Sequence, residues 1–142
     1  DVANIKDPYI ALLSYSTAGS CKGASADKVR KAYEYISLDE QIMAKYKFFG
    51  DIQFDAAYDV KVQEKKAKNL NWHKPANVFI FPNIDAGNIG YKIAQRLGKY
   101  QAIGPVVLGL NKPVNDLSRG ATAADVVMLS YITAVQALKT MK

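Results

Sequence analysis

Between residues 111 and 125 the chain gathers an amide, carboxylates, a hydroxyl and a guanidinium: Asn115, Asp116, Ser118, Arg119 and Asp125, with Gly120 among them. A guanidinium can grip a phosphate through two parallel N–H···O contacts. Backbone amides at a helix start can receive an anion. Thr122 and Asp125 stand three apart, the spacing of a capping box with Asp in place of Glu. On spacing alone, Asp125 therefore reads as a helix cap, and Ser118 and Arg119 read either as a capped turn or as an anion site. Other chemistries find no support. The chain has no GxGxxG fingerprint, no Walker A loop and no Gly-x-Ser-x-Gly elbow. With one histidine, His73, and one cysteine, Cys21, neither a zinc site nor a Cys–His dyad is expected, and no metal is assigned. His73 lies in a polar connection, where a surface role is expected.

These side chains must be positioned by the elements around them. Residues 9–13 form a short apolar run that reads as a buried strand, followed by the small-residue loop 16–20. Ser25 or Asp27 could cap a helix through Val29, Tyr33 and Ile36, and 38–46 continues as a second helical piece. Residues 50–54 read as a strand, and Asp55 can cap a helix over 56–66. A polar connection, 69–75, leads to the clearest strand, 77–81, closed by Pro82. A helix then runs to Arg96 and stops at Gly98. Residues 103–110 resemble another buried strand, 111–120 is a loop, and a last helix spans 122–139. Strands alternating with helices predict an α/β fold with a mostly parallel sheet flanked by helices. In such sheets ligands sit where strand ends meet helix starts, here at 14–23, 82–90 and 111–125.

The last helix carries apolar residues on most faces: Val126, Val127, Met128, Leu129, Tyr131, Ile132, Val135 and Leu138. A helix of that kind must be buried on several sides. It is expected to pack against something beyond the visible chain, a further domain or a subunit.

Composition bounds the rest. With 142 residues, 49% hydrophobic and 23% charged, the chain can form a core and is not a disordered segment. The net charge of +6 permits phosphorylated partners without choosing among them. The lysines between 61 and 68 read as a solvated helix face. One cysteine precludes an intrachain disulfide and fits a reducing compartment. The longest apolar stretch, 126–138, is interrupted by Ser130, Thr133 and Gln136 and is too short to span a bilayer. A cytoplasmic location is expected, with neither membrane nor nucleic acid as partner. Opening on Asp1, the chain also reads as a fragment or a processed product.

Two longer segments then carry a resemblance. Phe81-Pro82-Asn83-Ile84-Asp85-Ala86-Gly87-Asn88-Ile89-Gly90-Tyr91-Lys92 with Gln95-Arg96-Leu97-Gly98 is one. Ala102-Ile103-Gly104-Pro105, running on to Lys112-Pro113-Val114-Asn115-Asp116-Leu117-Ser118-Arg119-Gly120, is the other. Both resemble the phosphate acetyl/butyryl transferase family. Gly50-Asp51-Ile52-Gln53-Phe54-Asp55-Ala56-Ala57 and Leu13-Ser14-Tyr15-Ser16-Thr17 are weaker matches in the same order.

The resemblance implies reversible acetyl transfer between acetyl phosphate and coenzyme A, by direct attack of the thiol and without an acyl-enzyme. It implies that Asp125 takes the thiol proton, Ser118 contacts the reacting centre, and Arg119 binds acetyl phosphate and stabilises the developing oxyanion. Arg96 matches an arginine associated with coenzyme A binding. No permanently bound cofactor is implied; coenzyme A and acetyl-CoA are substrates, with acetyl phosphate and inorganic phosphate as the other partners. The implied fold resembles isocitrate/isopropylmalate dehydrogenase, two α/β domains with a cleft between them in a homodimer. On this reading 1–120 is the C-terminal α/β domain and 121–142 a terminal helix packing toward a missing N-terminal domain or a subunit. Further phosphate-binding arginines would lie in that absent domain, so the fragment alone is expected to be inactive. Ala121 stands where the family often has cysteine, which the implied mechanism does not need. A butyryl-specific relative, or a non-catalytic regulatory or oligomerisation module such as those fused to malic enzymes, is the alternative.

A thiol near pKa 8.5 and an aspartate near 3.9 lie about 4.6 pH units apart. A helix N-terminus widens that gap. The base role therefore requires burial or nearby cations to offset it, or proton transfer concerted with attack.

Overall fold

A computed structural model describes residues 3–70 and 72–140. Residue 71 of the expected polar connection and residues 141–142 of the expected terminal segment lie outside the described residues. The described residues divide into two compact units, one over 5–90 and the other over 91–140 together with residues 3–4.

The first unit is built on three parallel strands: β1 (Tyr9–Leu13), β2 (Lys47–Ile52) and β3 (Val78–Ile80), in the order β2-β1-β3. Ala11 pairs with Phe49 on one side and Phe79 on the other, so β1 is central. Its residues are accordingly apolar and almost wholly buried, as a strand covered on both faces must be. Strand β2 begins three residues before the expected 50–54 and ends two earlier. The aromatic pair Phe48-Phe49 supplies the pairing side chains that strands favour.

Helices α1 (Ala24–Ser37) and α2 (Glu40–Lys45) match the expected helical pieces. The caps differ from the reading of Ser25 or Asp27. Gly23, at φ 138°, starts α1, and its carbonyl accepts from the Asp27 amide. The expected single helix 56–66 is two, α3 (Phe54–Tyr58) and α4 (Val60–Lys66). Asp59 causes the break. Its backbone is extended, and its carboxylate accepts from the amides of Lys61 and Val62, so it caps α4 instead of continuing α3.

The connection 69–75 is less polar in role than in composition. Leu70 and Trp72 are buried, and the Trp72 ring meets Tyr9 and Phe49 edge to face. With Ala11, Leu13 and Ile52 they form one core. Polar groups at the first junction are consumed internally. Asp51, only 1% exposed, accepts from the Gly19 amide and pairs with the Arg30 Nε at 3.6 Å, while Thr17 and Gln53 bond each other. These contacts tie the loop to the end of β2.

Helix α5 (Ile84–Arg96) follows β3, and the Asn83 side chain accepts from the Ala86 amide to cap its start. Gly98 ends it, as expected. A Cβ there would lie 2.6 Å from the Ala94 carbonyl oxygen, and Lys99 turns at φ 54°.

In the second unit the expected strand 103–110 does not form. Those residues are irregular, and Ile103, Val107, Leu108 and Leu110 are exposed. Apolar content alone cannot make a strand; a ladder partner is required. The last helix, α6 (Ala123–Thr140), does form. Of its apolar residues Leu129 is buried, whereas Tyr131 and Leu138 are 68% and 67% exposed and Val126, Val127 and Val135 are exposed as well. Among the described residues no helix is long and apolar enough to cross a membrane.

Candidate active site

Asn115 ties the loop 111–121 to α6. Asn115 accepts from the Val107 amide at 2.8 Å and donates to Thr133 Oγ1 at 2.8 Å and Gln136 Oε1 at 2.7 Å. Gln136, 9% exposed, donates in turn to the Val107 carbonyl. This network ties 103–110, the loop and the middle of α6 together, and it replaces the ladder that a strand would have supplied. Thr133 Oγ1 accepts from Asn115 and itself donates a hydrogen bond to the Leu129 carbonyl four residues back.

Downstream of Asn115 the loop turns. The Ala121 amide donates to the Ser118 carbonyl and the Gly120 amide to Ser118 Oγ. Ser118 is thereby fixed at the head of a tight turn. The capping box read from the sequence closes next: the Thr122 amide donates to Asp125 Oδ2 at 2.8 Å, and the Asp125 amide to Thr122 Oγ1 at 3.3 Å. The Thr122 hydroxyl also donates to Oδ2, at 2.8 Å. The Thr122 amide, and then its hydroxyl, hold the Asp125 carboxyl below the usual carboxylate range.

All the bonds that Asp125 accepts fall on Oδ2. Among the described residues Oδ1 accepts none. Cap and base are therefore compatible roles, not rivals, because one oxygen anchors the helix while the other remains available to a proton.

Three of the sequence-predicted residues converge on a hollow of about 240 Å³ within the second unit. Ser118, Gly120 and Asp125 border it from the loop and the start of α6, and Arg96 borders it from the last turn of α5. Arg119, the remaining predicted residue, is exposed and does not border the hollow.

Tyr91, Lys92 and Gln95 also line this hollow, and sequence reasoning gave them no role. The signal was present. At 100° per residue, positions 91, 92, 95 and 96 share one face of a helix, so a helix that aims Arg96 at a site aims Lys92 there too.

Comparison with known proteins agrees in direction. A family model described as phosphate acetyl/butaryl transferase matches residues 2–134. The chain is 55% identical over 130 residues to a phosphate acetyltransferase from Mycoplasma pneumoniae, covering 92% of this chain and 40% of that protein. It is 53% identical over 137 residues to one from Staphylococcus aureus, covering 94% and 41%. Among solved structures, a EutD phosphotransacetylase from Staphylococcus aureus matches with a TM-score of 0.83 at 52% identity, over 92% of this chain and 40% of that one. A phosphotransacetylase from Streptococcus pyogenes matches with a TM-score of 0.85 at 48% identity, over 97% and 41%. The chain thus spans about 40% of the length of these curated relatives.

Proposed function

This chain belongs to the phosphate acetyl/butaryl transferase family, and we propose on that footing that it supplies part of the active site for reversible acetyl transfer between acetyl phosphate and coenzyme A. The observation that carries this reading is the convergence of Ser118, Asp125 and Arg96 on one hollow.

In the proposed reaction the coenzyme A thiol sulfur attacks the acetyl carbonyl carbon. The carbon–sulfur bond forms, the bond from that carbon to the phosphate oxygen breaks, and inorganic phosphate leaves with the electron pair. Asp125 Oδ1 receives the thiol proton while Oδ2 stays bonded to Thr122. A carboxyl held below its ordinary pKa is a weak base toward a thiol. Proton transfer is therefore concerted with attack, and a closed, drier site raises the carboxylate's basicity. Ser118 contacts the reacting centre, and Arg119, a planar fork of donors, binds acetyl phosphate and steadies the oxyanion. Arg119 is exposed and does not itself border the hollow, so this role has it meet the substrate from the exposed side or swing inward.

The remainder of the reading follows the family resemblance. The fold is of the isocitrate/isopropylmalate dehydrogenase type, with a second α/β domain closing a cleft, and the working form is a cytoplasmic homodimer with coenzyme A as substrate and no permanent cofactor. The terminal segment 121–142, whose described part holds α6, packs on that domain or on a subunit. The exposed apolar residues of α6 supply a surface for such packing. Acetyl is the acyl group, following the names of the relatives.

Acetyl-CoA formation from acetyl phosphate, assayed in the complete gene product, tests the proposal. Asp125→Asn retains an oxygen acceptor for Thr122 and removes the proton acceptor. Turnover should fall at least a hundredfold, within the range of acid–base contributions of about 10²–10⁴, with coenzyme A affinity little changed. Undiminished turnover would leave Asp125 a cap alone, and absence of activity in the wild type would favour a non-catalytic module.

A further inference from the structure

Helix α5 presents two cations to the hollow that borders Ser118 and Asp125: Lys92 and, one turn later, Arg96. Like charges four apart on a helix repel, so the pair costs stability unless something offsets it. The C-terminal end of the helix dipole favours Arg96, in the last turn, but falls off within that turn. No carboxylate pairs with either cation among the described residues. Asp125, the one acidic group bordering the same hollow, forms no ion pair with them and directs Oδ2 to Thr122. The Lys92 ammonium lies 4.9 Å from the Tyr91 ring centroid, which steadies it without neutralising it. Gln95 stands between the cations and adds a neutral donor.

Two unneutralised cations and an amide on one wall of a cavity form a receptor for a doubly charged oxyanion. Resting on the coenzyme A reading of this site, we propose that Lys92 is a second coenzyme-binding residue and that Lys92, Gln95 and Arg96 together hold a phosphate group of the coenzyme. Lys92 acts as a compact point charge and Arg96 as a fork, so the two grip different oxygens of the same group. Coenzyme A offers this chemistry in two places, its diphosphate bridge and its 3′-phosphate, and the ligands chosen for the test separate them.

Titration calorimetry on the complete gene product uses coenzyme A, 3′-dephospho-coenzyme A and pantetheine, which has no phosphate. Lys92→Met should weaken coenzyme A about tenfold, the worth of one charge-assisted contact, and leave pantetheine unchanged. Lys92→Arg should restore most of the affinity, and Lys31→Met, an equal change of charge on exposed α1, should have no effect. A deficit that persists with 3′-dephospho-coenzyme A assigns the cations to the diphosphate; one that disappears assigns them to the 3′-phosphate. Lys92→Gln serves as a second variant should the methionine disturb folding. Unchanged coenzyme A affinity in both variants, or an equal loss for pantetheine, overturns the inference while leaving the acetyl-transfer reading in place. Failure of the wild type to bind coenzyme A at all would overturn both.

Discussion

Replacing Asn115 with leucine tests whether one side chain organises the second unit. The substitution removes the acceptor of the Val107 amide and the donor to Thr133 Oγ1 and Gln136 Oε1. A net hydrogen bond contributes about 1 kcal/mol, and a buried group left unpaired costs more. Val107 is exposed enough to bond water instead, so its contact counts for little. Gln136 is not, so the two bonds to α6 carry most of the effect, roughly 2 kcal/mol. Hydrogen exchange read by NMR on the amides around Thr133 and Gln136 should then accelerate about 30-fold. Asn115→Asp keeps the acceptor for Val107 but turns a carboxylate oxygen toward oxygen atoms of Thr133 and Gln136. It should be at least as harmful at neutral pH and milder below about pH 4, where the acid can donate again. Unchanged exchange in α6 for both variants would refute the reasoning, showing that the helix and loop are held by other contacts.

Two other outcomes follow from the same geometry. Gly98→Ala places a methyl 2.6 Å from the Ala94 carbonyl oxygen, a backbone atom that cannot swing aside. It should cost about 1–3 kcal/mol in urea unfolding and weaken coenzyme A binding by displacing Arg96; an unshifted midpoint would show that the turn has room. The Asp125 carboxyl is held below its ordinary range by the Thr122 amide and hydroxyl. Its capping contribution is therefore complete above the unfolded value, about 3.9, and is lost as pH falls through the lower folded value. The Thr122 amide resonance, followed from pH 6 to pH 2, should move only in the acid part of that window; a flat trace would mean the cap does not depend on the carboxylate.

Much was legible in the sequence, because short-range physics governs it. The apolar run 9–13, the Gly98 stop of α5, and the Thr122–Asp125 box each depend on residues within a few positions of one another. The pairing of Ser118 and Asp125 could be anticipated for the same reason. What the sequence left open depended on partners far along the chain. Whether 103–110 formed a strand required a ladder neighbour, and instead Asn115 and Gln136 satisfied Val107. Trp72 looked like part of a polar connection until Tyr9 and Phe49 surrounded it. Arg96 is 22 to 29 positions from Ser118 and Asp125, and only the folded second unit places it beside them. The same placement brought in Lys92 and left Arg119 out. Residue types and local spacing determined that the loop could bind an anion and cap a helix at once; tertiary structure decided which cations face the cavity.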